Sequence, residues 1–243
     1  MDDTSYEKST TNEQFLPELS RLNTINKFLI YTDSVYDTKK IPTFDTAVYV
    51  SVVSESIKKR FQFGLQTYSL TDNWIASIFG KLFWFHLLAK VDPNDIIENS
   101  VGLCSQQTIV FMEVLNRKKI NFRSVGLGYK EGPGHFLCEV YYDNEWHVHD
   151  VTKEPDWSKI SNHHKSMDYY MLHKDSLYTV YDKKVDKNEF NKLTQKVQYG
   201  EVNQYPAKKM LLFHKITRFL TYFFPFLFFF LYLLSKKTTE TKI

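Results

Sequence analysis

The alternation of apolar and polar positions predicts several helices with a short run of strands in the middle of the chain. Apolar residues keep helical spacing over residues 45–59, and Asp45 is a favourable N-cap for that helix. A second helix is predicted over about residues 72–90, which are dense in aromatic side chains, and another begins at Asp92-Pro93. Residues 104–117 are apolar on more than one face, which predicts a buried central helix.

A β-hairpin is predicted after this helix, because two β-rich runs within residues 135–152 flank the turn signal Asp143-Asn144. Side chains alternate along a strand, and cross-strand partners share a face. A two-residue turn therefore puts His135 and Asp150 on one face as diagonal neighbours, about 7–8 Å apart at the backbone. In that position a carboxylate fixes the orientation of an imidazole. A three-residue loop would put Asp150 on the other face.

Cys104 lies at the predicted start of the central helix, directly after the glycine-containing loop 101–103. Unpaired backbone N–H groups and the positive helix end both favour a negative charge there, so we expect the pKa of the Cys104 thiol to lie below its ordinary value. By strand parity Cys138 faces away from His135, which disfavours a disulfide with Cys104. With only these two cysteines, a free thiol and a reducing compartment are expected.

This order of cysteine, histidine and aspartate resembles the signature of the transglutaminase-like superfamily, whose members are relatives of the papain-type thiol enzymes. The matching segments lie within about residues 45–157 and are Gly102-Leu103-Cys104, Gly134-His135-Phe136-Leu137-Cys138-Glu139-Val140 and Trp146-His147-Val148-His149-Asp150. A weaker match to bacterial members lies upstream, in residues 59–64 and 72–76. The chain departs from the family at Leu137, where an aromatic residue is frequent, and at Val151, where proline is frequent.

The resemblance implies an α+β fold with a papain/transglutaminase-like core, in which a central helix packs on an antiparallel sheet. It also implies a catalytic triad of Cys104, His135 and Asp150. In that mechanism the Cys104 thiolate attacks a carboxamide of a protein or peptide substrate and forms a thioester. Water then gives hydrolysis or deamidation, and a lysine amine gives a cross-link; hydrolysis is the expected default. A catalytically silent, membrane-tethered binding module with the same fold is the alternative.

Three polar or aromatic residues are further candidates for binding the oxyanion or the substrate. Asn73 and Trp74 lie upstream of the cysteine, as such donors do in related enzymes, although an aromatic core anchor also explains Trp74. Gln106 is the third, although a polar residue is ordinary in a first helical turn. Arg123 and Glu139, in contrast, are charged residues on predicted inner strands, where a structural ion pair is expected.

Four histidines raise a metal hypothesis: His147, His149, His163 and His164. No carboxylate or cysteine cluster completes a tetrahedral set with them, so we expect solvated surface histidines, no metal and no other cofactor. A zinc hydrolase is the alternative. Calcium, which some animal transglutaminases require, is not implied, because no acidic ligand loop is evident. The formal net charge of +3 is too small to predict nucleic-acid binding.

The apolar run at residues 219–234, counted from Ile216, approaches the length that crosses a bilayer. We expect a transmembrane helix at 213–235 that acts as a single-pass C-terminal membrane anchor, followed by a short polar tail at 236–243; a buried core helix is the alternative. Basic residues flank the run on both sides, so its orientation is weakly determined. Because no secretory signal is visible, we expect the catalytic domain in the cytoplasm.

The other segments complete the predicted organisation. Residues 1–25 are expected to be a flexible N-terminus, and residues 26–205 are expected to form one transglutaminase-like domain. Within that domain, residues 120–128 and 176–181 are predicted strands, and residues 187–197 are a predicted helix.

Overall fold

The computed structural model describes residues 14–128, 134–153, 155–159, 165–181 and 186–240. The chain divides into two compact units. Unit 1 comprises Met1–Gln66 and Asp92–Pro206, and unit 2 comprises Thr67–Val91 and Ala207–Ile243. The sequence places residues 26–205 in one domain, whereas the structure groups Thr67–Val91 with the C-terminal segment.

The fold mixes helices and strands. Within the described residues the helices are α1 (Ile25–Asp37), α2 (Thr46–Arg60), α3 (Leu70–Leu82), α4 (Pro93–Ile96), α5 (Cys104–Arg117), α6 (Met167–Leu172), α7 (Lys174–Tyr181), α8 (Lys187–Leu193) and α9 (Lys208–Glu240). The strands are β1 (Gln62–Phe63), β2 (Val101–Gly102), β3 (Phe122–Gly128), β4 (His135–Tyr142), β5 (Glu145–His149) and β6 (Lys196–Tyr199). Short 3-10 helices lie at Pro17–Arg21, Phe85–Leu88 and Trp157–Lys159.

Unit 1 contains a four-stranded antiparallel sheet in the order β5-β4-β3-β6. Strands β4 and β5 form the predicted hairpin, with Tyr142 paired to Glu145 across the turn. Asp143 and Asn144 both have positive φ, 51° and 62°, which is the conformation that a two-residue type I′ turn requires. The predicted loop length and register are therefore confirmed.

Helix α5 begins at Cys104 and ends at Arg117, as the sequence predicts. All residues from 106 to 115 are buried, because α5 packs against β4 and against α1, α2 and α4. The parallel pair of β1 and β2 joins the end of α2 to the loop before Cys104. The start of the helix is therefore held by both a strand pair and a buried helix body.

The predicted helix caps at Asp45 and Asp92 are confirmed. The side chain of Asp45 accepts a hydrogen bond from Val48 N at 3.0 Å, and that of Asp92 accepts one from Asn94 N at 3.0 Å. The predicted helix over 72–90 is too long, because α3 ends at Leu82 and a separate 3-10 helix follows.

The predicted strand at residues 176–181 is wrong, because these residues belong to α7. The aromatic and β-branched residues there suggest a strand, but the buried set Leu177, Val180 and Tyr181 has the spacing of one helix face. The predicted helix over 187–197 ends earlier, at Leu193, and β6 then adds an edge strand beside β3.

Part of the N-terminus that the sequence predicts to be flexible is structured. Residues 1–13 lie outside the described residues. Residues Pro17–Arg21 form a 3-10 helix in which Leu19 is buried, and the backbone N–H of Leu16 donates to the carbonyl of Lys59 at 2.8 Å. Burial of apolar side chains therefore orders residues 17–21, although the polar composition of the N-terminus predicts flexibility.

The predicted ion pair between Arg123 and Glu139 is confirmed. The two residues are direct cross-strand partners on β3 and β4, and Arg123 Nε lies 2.5 Å from Glu139 Oε2. The backbone N–H of Met167 donates to Glu139 Oε1 at 2.6 Å, and the Arg123 guanidinium lies over the Trp146 ring. The buried carboxylate is therefore paired on both oxygens, as a charge in a protein interior requires.

Unit 2 consists of α3, the 3-10 helix that follows it, and α9. Asn73 Nδ2 donates to Thr217 Oγ1 at 2.9 Å, and Trp74 Nε1 donates to the carbonyl of Thr221 at 3.3 Å. The stretch Lys208–Leu234 of α9 is long enough and apolar enough to cross a membrane.

Candidate active site

The loop before Cys104 is held by two buried glutamines. Gln106 Oε1 accepts hydrogen bonds from Leu103 N at 3.1 Å and from Gln66 N at 3.0 Å, and its Nε2 donates to the Gln66 carbonyl at 2.9 Å. Gln107 Nε2 donates to the Gly102 carbonyl at 2.7 Å. These bonds fix the residues on both sides of Cys104, so its half-buried sulfur has a defined position at the start of α5.

His135 is the first residue of β4, and the glycine before it brings two strands close together. A Cβ atom added to Gly134 would lie 2.3 Å from the carbonyl oxygen of Leu127 on β3. Thr108 Oγ1, one turn into α5, donates to the carbonyl of Phe136 at 3.3 Å. The start of β4 is therefore tied to both β3 and α5.

Asp150 follows β5 and is fully buried. Its Oδ2 atom lies 2.6 Å from His135 Nε2 and also accepts a hydrogen bond from the Tyr181 hydroxyl at 2.7 Å. Its Oδ1 atom accepts from the backbone N–H groups of Thr152 at 3.1 Å and Lys153 at 3.0 Å. These donors stabilise a buried carboxylate and hold it against the imidazole.

The imidazole of His135 also interacts with the thiol of Cys104 and perturbs its ionisation. Because Nε2 of the ring faces Asp150, Nδ1 is the nitrogen left for the sulfur. In the neutral form, Nε2–H donates to Asp150 and Nδ1 accepts from the thiol, so the carboxylate selects the tautomer that can take the thiol proton. The His135 imidazole thus interacts with both the Cys104 thiol and the Asp150 carboxylate.

The surroundings shift all three ionisations in compatible directions. Burial acts to raise the pKa of the Cys104 thiol, but the hydrogen bond and charge of His135, helped by the backbone N–H of Phe136, leave that pKa below its ordinary value. Burial acts to lower the pKa of His135, and the neighbouring carboxylate outweighs it and raises that pKa to about 10. Burial also acts to raise the pKa of Asp150, which the charge of His135 nevertheless depresses. These directions favour a thiolate, an imidazolium and a carboxylate together.

The pKa of the second cysteine, Cys138, is shifted in the opposite direction from that of Cys104. Cys138 is fully buried, and burial together with the charge of Glu139 raises the pKa of its thiol well above the ordinary value. Both cysteines are free thiols, as the strand parity predicts. The surroundings therefore shift the pKa values of the two thiols in opposite directions.

The three candidates for binding an oxyanion or substrate are engaged elsewhere. The amide of Gln106 holds the loop before Cys104, and the side chains of Asn73 and Trp74 bond to α9 within unit 2. The Asn73 side chain also accepts from Ala76 N at 3.1 Å and so caps the rest of α3. Their role at an oxyanion stays a prediction.

Tyr181 is a site residue that the sequence does not reveal. Its hydroxyl shares Asp150 Oδ2 with the imidazole, yet it lies on α7, 31 positions beyond Asp150. The sequence predicts a strand at 176–181, and that prediction does not indicate a contact between Tyr181 and Asp150. The contact forms because these residues are part of α7.

The prediction of solvated histidines on β5 is wrong. His147 and His149 are both buried. The ring of His147 stacks on Tyr142 with centroids 3.8 Å apart, and His149 Nε2 lies 3.3 Å from the Tyr142 hydroxyl. Aromatic packing therefore accounts for their burial. Among the described residues no group of three His, Cys, Asp or Glu side chains is arranged to hold a metal; His163 and His164 lie outside those residues.

No protein-family model matches the chain, and no curated protein matches it. Among solved structures, the chain is similar to a crystal structure described as that of a TGase (transglutaminase), at 16% sequence identity and a TM-score of 0.35. The match covers 70% of this chain and 40% of that one, so the chain spans about two fifths of that structure's length. The similarity is weak and concerns the fold alone.

Proposed function

We propose that the chain is a cysteine-dependent acyl-transfer enzyme with a papain/transglutaminase-like core, in which Cys104 is the nucleophile, His135 the general acid and base, and Asp150 the residue that orients the imidazole. The observation that supports the proposal is the position of the His135 imidazole, which interacts with the Cys104 thiol and lies 2.6 Å from the buried Asp150 carboxylate. A thiol with a depressed pKa beside an imidazole held by a carboxylate is the arrangement that activates a cysteine nucleophile.

In the proposed mechanism the Cys104 thiolate attacks the carbonyl carbon of a carboxamide. The C–S bond forms as the carbonyl π electrons move to oxygen, where backbone N–H groups at the start of α5 stabilise the charge. The tetrahedral intermediate then expels the nitrogen, which takes the proton held on His135 and leaves as ammonia or an amine. A thioester on Cys104 remains.

The neutral imidazole of His135 next removes a proton from water, which attacks the thioester carbon. The C–S bond breaks, a carboxylic acid leaves, and the thiolate and the imidazolium are restored. A lysine amine in place of water gives an isopeptide cross-link. We propose hydrolysis of a protein or peptide amide as the default, because water needs no second binding site.

We further propose that α9 anchors this enzyme as a single-pass membrane helix. The length and apolar character of Lys208–Leu234 support the anchor.

An activated ester tests the catalytic proposal without knowledge of the substrate. With p-nitrophenyl acetate, the full chain in detergent should release a burst of about one equivalent of p-nitrophenolate per protein and carry an acetyl group on Cys104 that hydroxylamine removes. The burst rate should fall about 10²–10⁴-fold in His135→Gln and vanish in Cys104→Ser. The variant Cys138→Ala is the matched control and should keep the burst. An equal burst from folded Cys104→Ser refutes the proposal, and no burst from the folded wild type favours the silent binding module.

A further inference from the structure

The two helices of unit 2 have polar side chains inside and apolar side chains outside. Asn73 is 0% exposed and Thr217 is 4% exposed where α3 faces α9. Besides the bond between these two, Thr221 Oγ1 donates to Asn73 Oδ1 at 3.2 Å, and His214 Nε2 donates to the Leu87 carbonyl at 2.8 Å. Helices that meet through buried polar side chains are typical of membranes, where lipid already solvates the apolar residues.

The outward side of the same pair is apolar. From the last turn of α3 to the start of the 3-10 helix after it, the exposed apolar residues, here called the aromatic patch, are Ile78, Phe79, Leu82, Phe83, Trp84 and Phe85. Phe83 is 74% exposed and Trp84 is 56% exposed. On α9 the exposed apolar residues near this level are Leu212, Ile216, Phe219, Tyr222 and Phe223. A surface that meets water rarely carries so large a group of neighbouring aromatic side chains.

Contacts inside unit 2 show which residues of α9 lie beside the aromatic patch. Trp74 bonds to Thr221, and five residues later the Phe79 ring lies 6.5 Å from the Phe213 ring. Helix α3 therefore runs antiparallel to α9 beside residues 213–221. A bilayer core about 30 Å thick needs about 20 helical residues at about 1.5 Å each, which residues 215–234 provide. The covered part of α9 then crosses the membrane boundary, and the Phe79 end of α3, beside Phe213, lies at that boundary.

Exposed basic side chains lie on the same two helices as the aromatic patch. Lys81 is exposed on α3, and Lys208, Lys209 and Lys215 are exposed on the neighbouring part of α9. Aromatic side chains with flanking lysines suit the boundary between headgroups and acyl chains, where the rings enter the apolar layer and the ammonium groups meet lipid phosphates.

We propose that the aromatic patch contacts the headgroup and acyl boundary of an anionic bilayer, which makes α3 a second membrane-contacting element beside α9. The proposal rests on the proposed anchoring by α9. It adds that the segment Thr67–Val91, although inserted in sequence between parts of unit 1, meets lipid together with the C-terminal helix.

An environment-sensitive fluorophore tests where the aromatic patch lies. Three single-label proteins are made in the full chain on a Cys104→Ser background, in which the remaining Cys138 is buried: Phe83→Cys, Phe228→Cys on α9, and Leu172→Cys on α6. All three positions are exposed, so labelling should leave the fold intact. Each protein is labelled with NBD and reconstituted in phosphatidylcholine vesicles that contain phosphatidylglycerol, with and without doxyl-labelled lipid.

The label at Phe83 should show a blue-shifted emission several-fold brighter than the label at Leu172, and doxyl lipid should quench it. A label at Phe83 that is quenched no more than the label at Leu172 overturns the proposal. The label at Phe228 separates the two hypotheses. If it is quenched while that at Phe83 is not, the anchor stands and the aromatic patch does not contact lipid. If neither is quenched, the anchor itself is refuted.

Discussion

Replacement of His135 by alanine should change the pH at which Cys104 reacts with iodoacetamide. In the wild type, burial acts to raise the pKa of the thiol, while the hydrogen bond and charge of His135 lower it past its ordinary value. Alanine removes both contributions of the imidazole and leaves burial in place. The pKa of the thiol should therefore rise above its ordinary value, and the labelling curve should move to higher pH.

The two proteins are compared at pH 6. An ordinary thiol with a pKa of about 8.5 is only about 0.3% ionised at that pH. The wild-type labelling rate at pH 6, relative to its own high-pH plateau, should exceed this fraction, and the rate for His135→Ala should fall to it or below. Each protein is compared with its own plateau because a thiolate becomes a weaker nucleophile as its pKa falls.

Peptide mapping by mass spectrometry after timed labelling separates the two thiols. Cys138 serves as an internal control, since its burial and raised pKa keep it unlabelled while the protein is folded. Labelling of Cys138 in a variant reports unfolding and disqualifies that sample. If the wild type and folded His135→Ala both titrate with a midpoint near 8.5, the proposed activation of Cys104 is wrong.

Two further predictions concern the buried groups that support the site. Tyr181→Phe removes a hydroxyl that donates to the Asp150 carboxylate, so the free energy of unfolding in urea should fall by about 1.5–3 kcal/mol. Tyr178→Phe, on the same helix, should lower that free energy less. Equal losses in the two variants would contradict the assignment. Glu139→Met leaves the Arg123 guanidinium without its buried partner and should lower the free energy of unfolding by about 3–5 kcal/mol. Adding Arg123→Met should recover part of that loss. A double variant no more stable than Glu139→Met alone would contradict this reasoning.

The central part of the site follows from local rules that the sequence displays directly. The two-residue turn at Asp143-Asn144 sets the parity of the hairpin, and that parity alone places His135 and Asp150 on one face. The long apolar stretch after Cys104 likewise predicts a buried helix that begins at the cysteine. These features depend on neighbours in sequence or across one turn, so they are accessible without coordinates.

The other parts of the structure depend on contacts between distant segments. Tyr181 reaches Asp150 from a helix whose composition favours a strand, because burial of one helix face overrides the local preference. The burial of His147 depends on a stack with Tyr142 across the hairpin. The grouping of α3 with α9 joins residues more than 120 positions apart. The polar side chains that hold the two helices together can be recognised only after the helices are seen to pair.

The close approach at Gly134 limits how the site can be altered. The space beside its Cα is filled by the carbonyl of Leu127, which belongs to the backbone and cannot rotate away as a side chain would. A library that randomises this position should return only glycine among active clones. Engineering of the proposed activity should therefore change positions that do not hold β4 against its neighbouring strand.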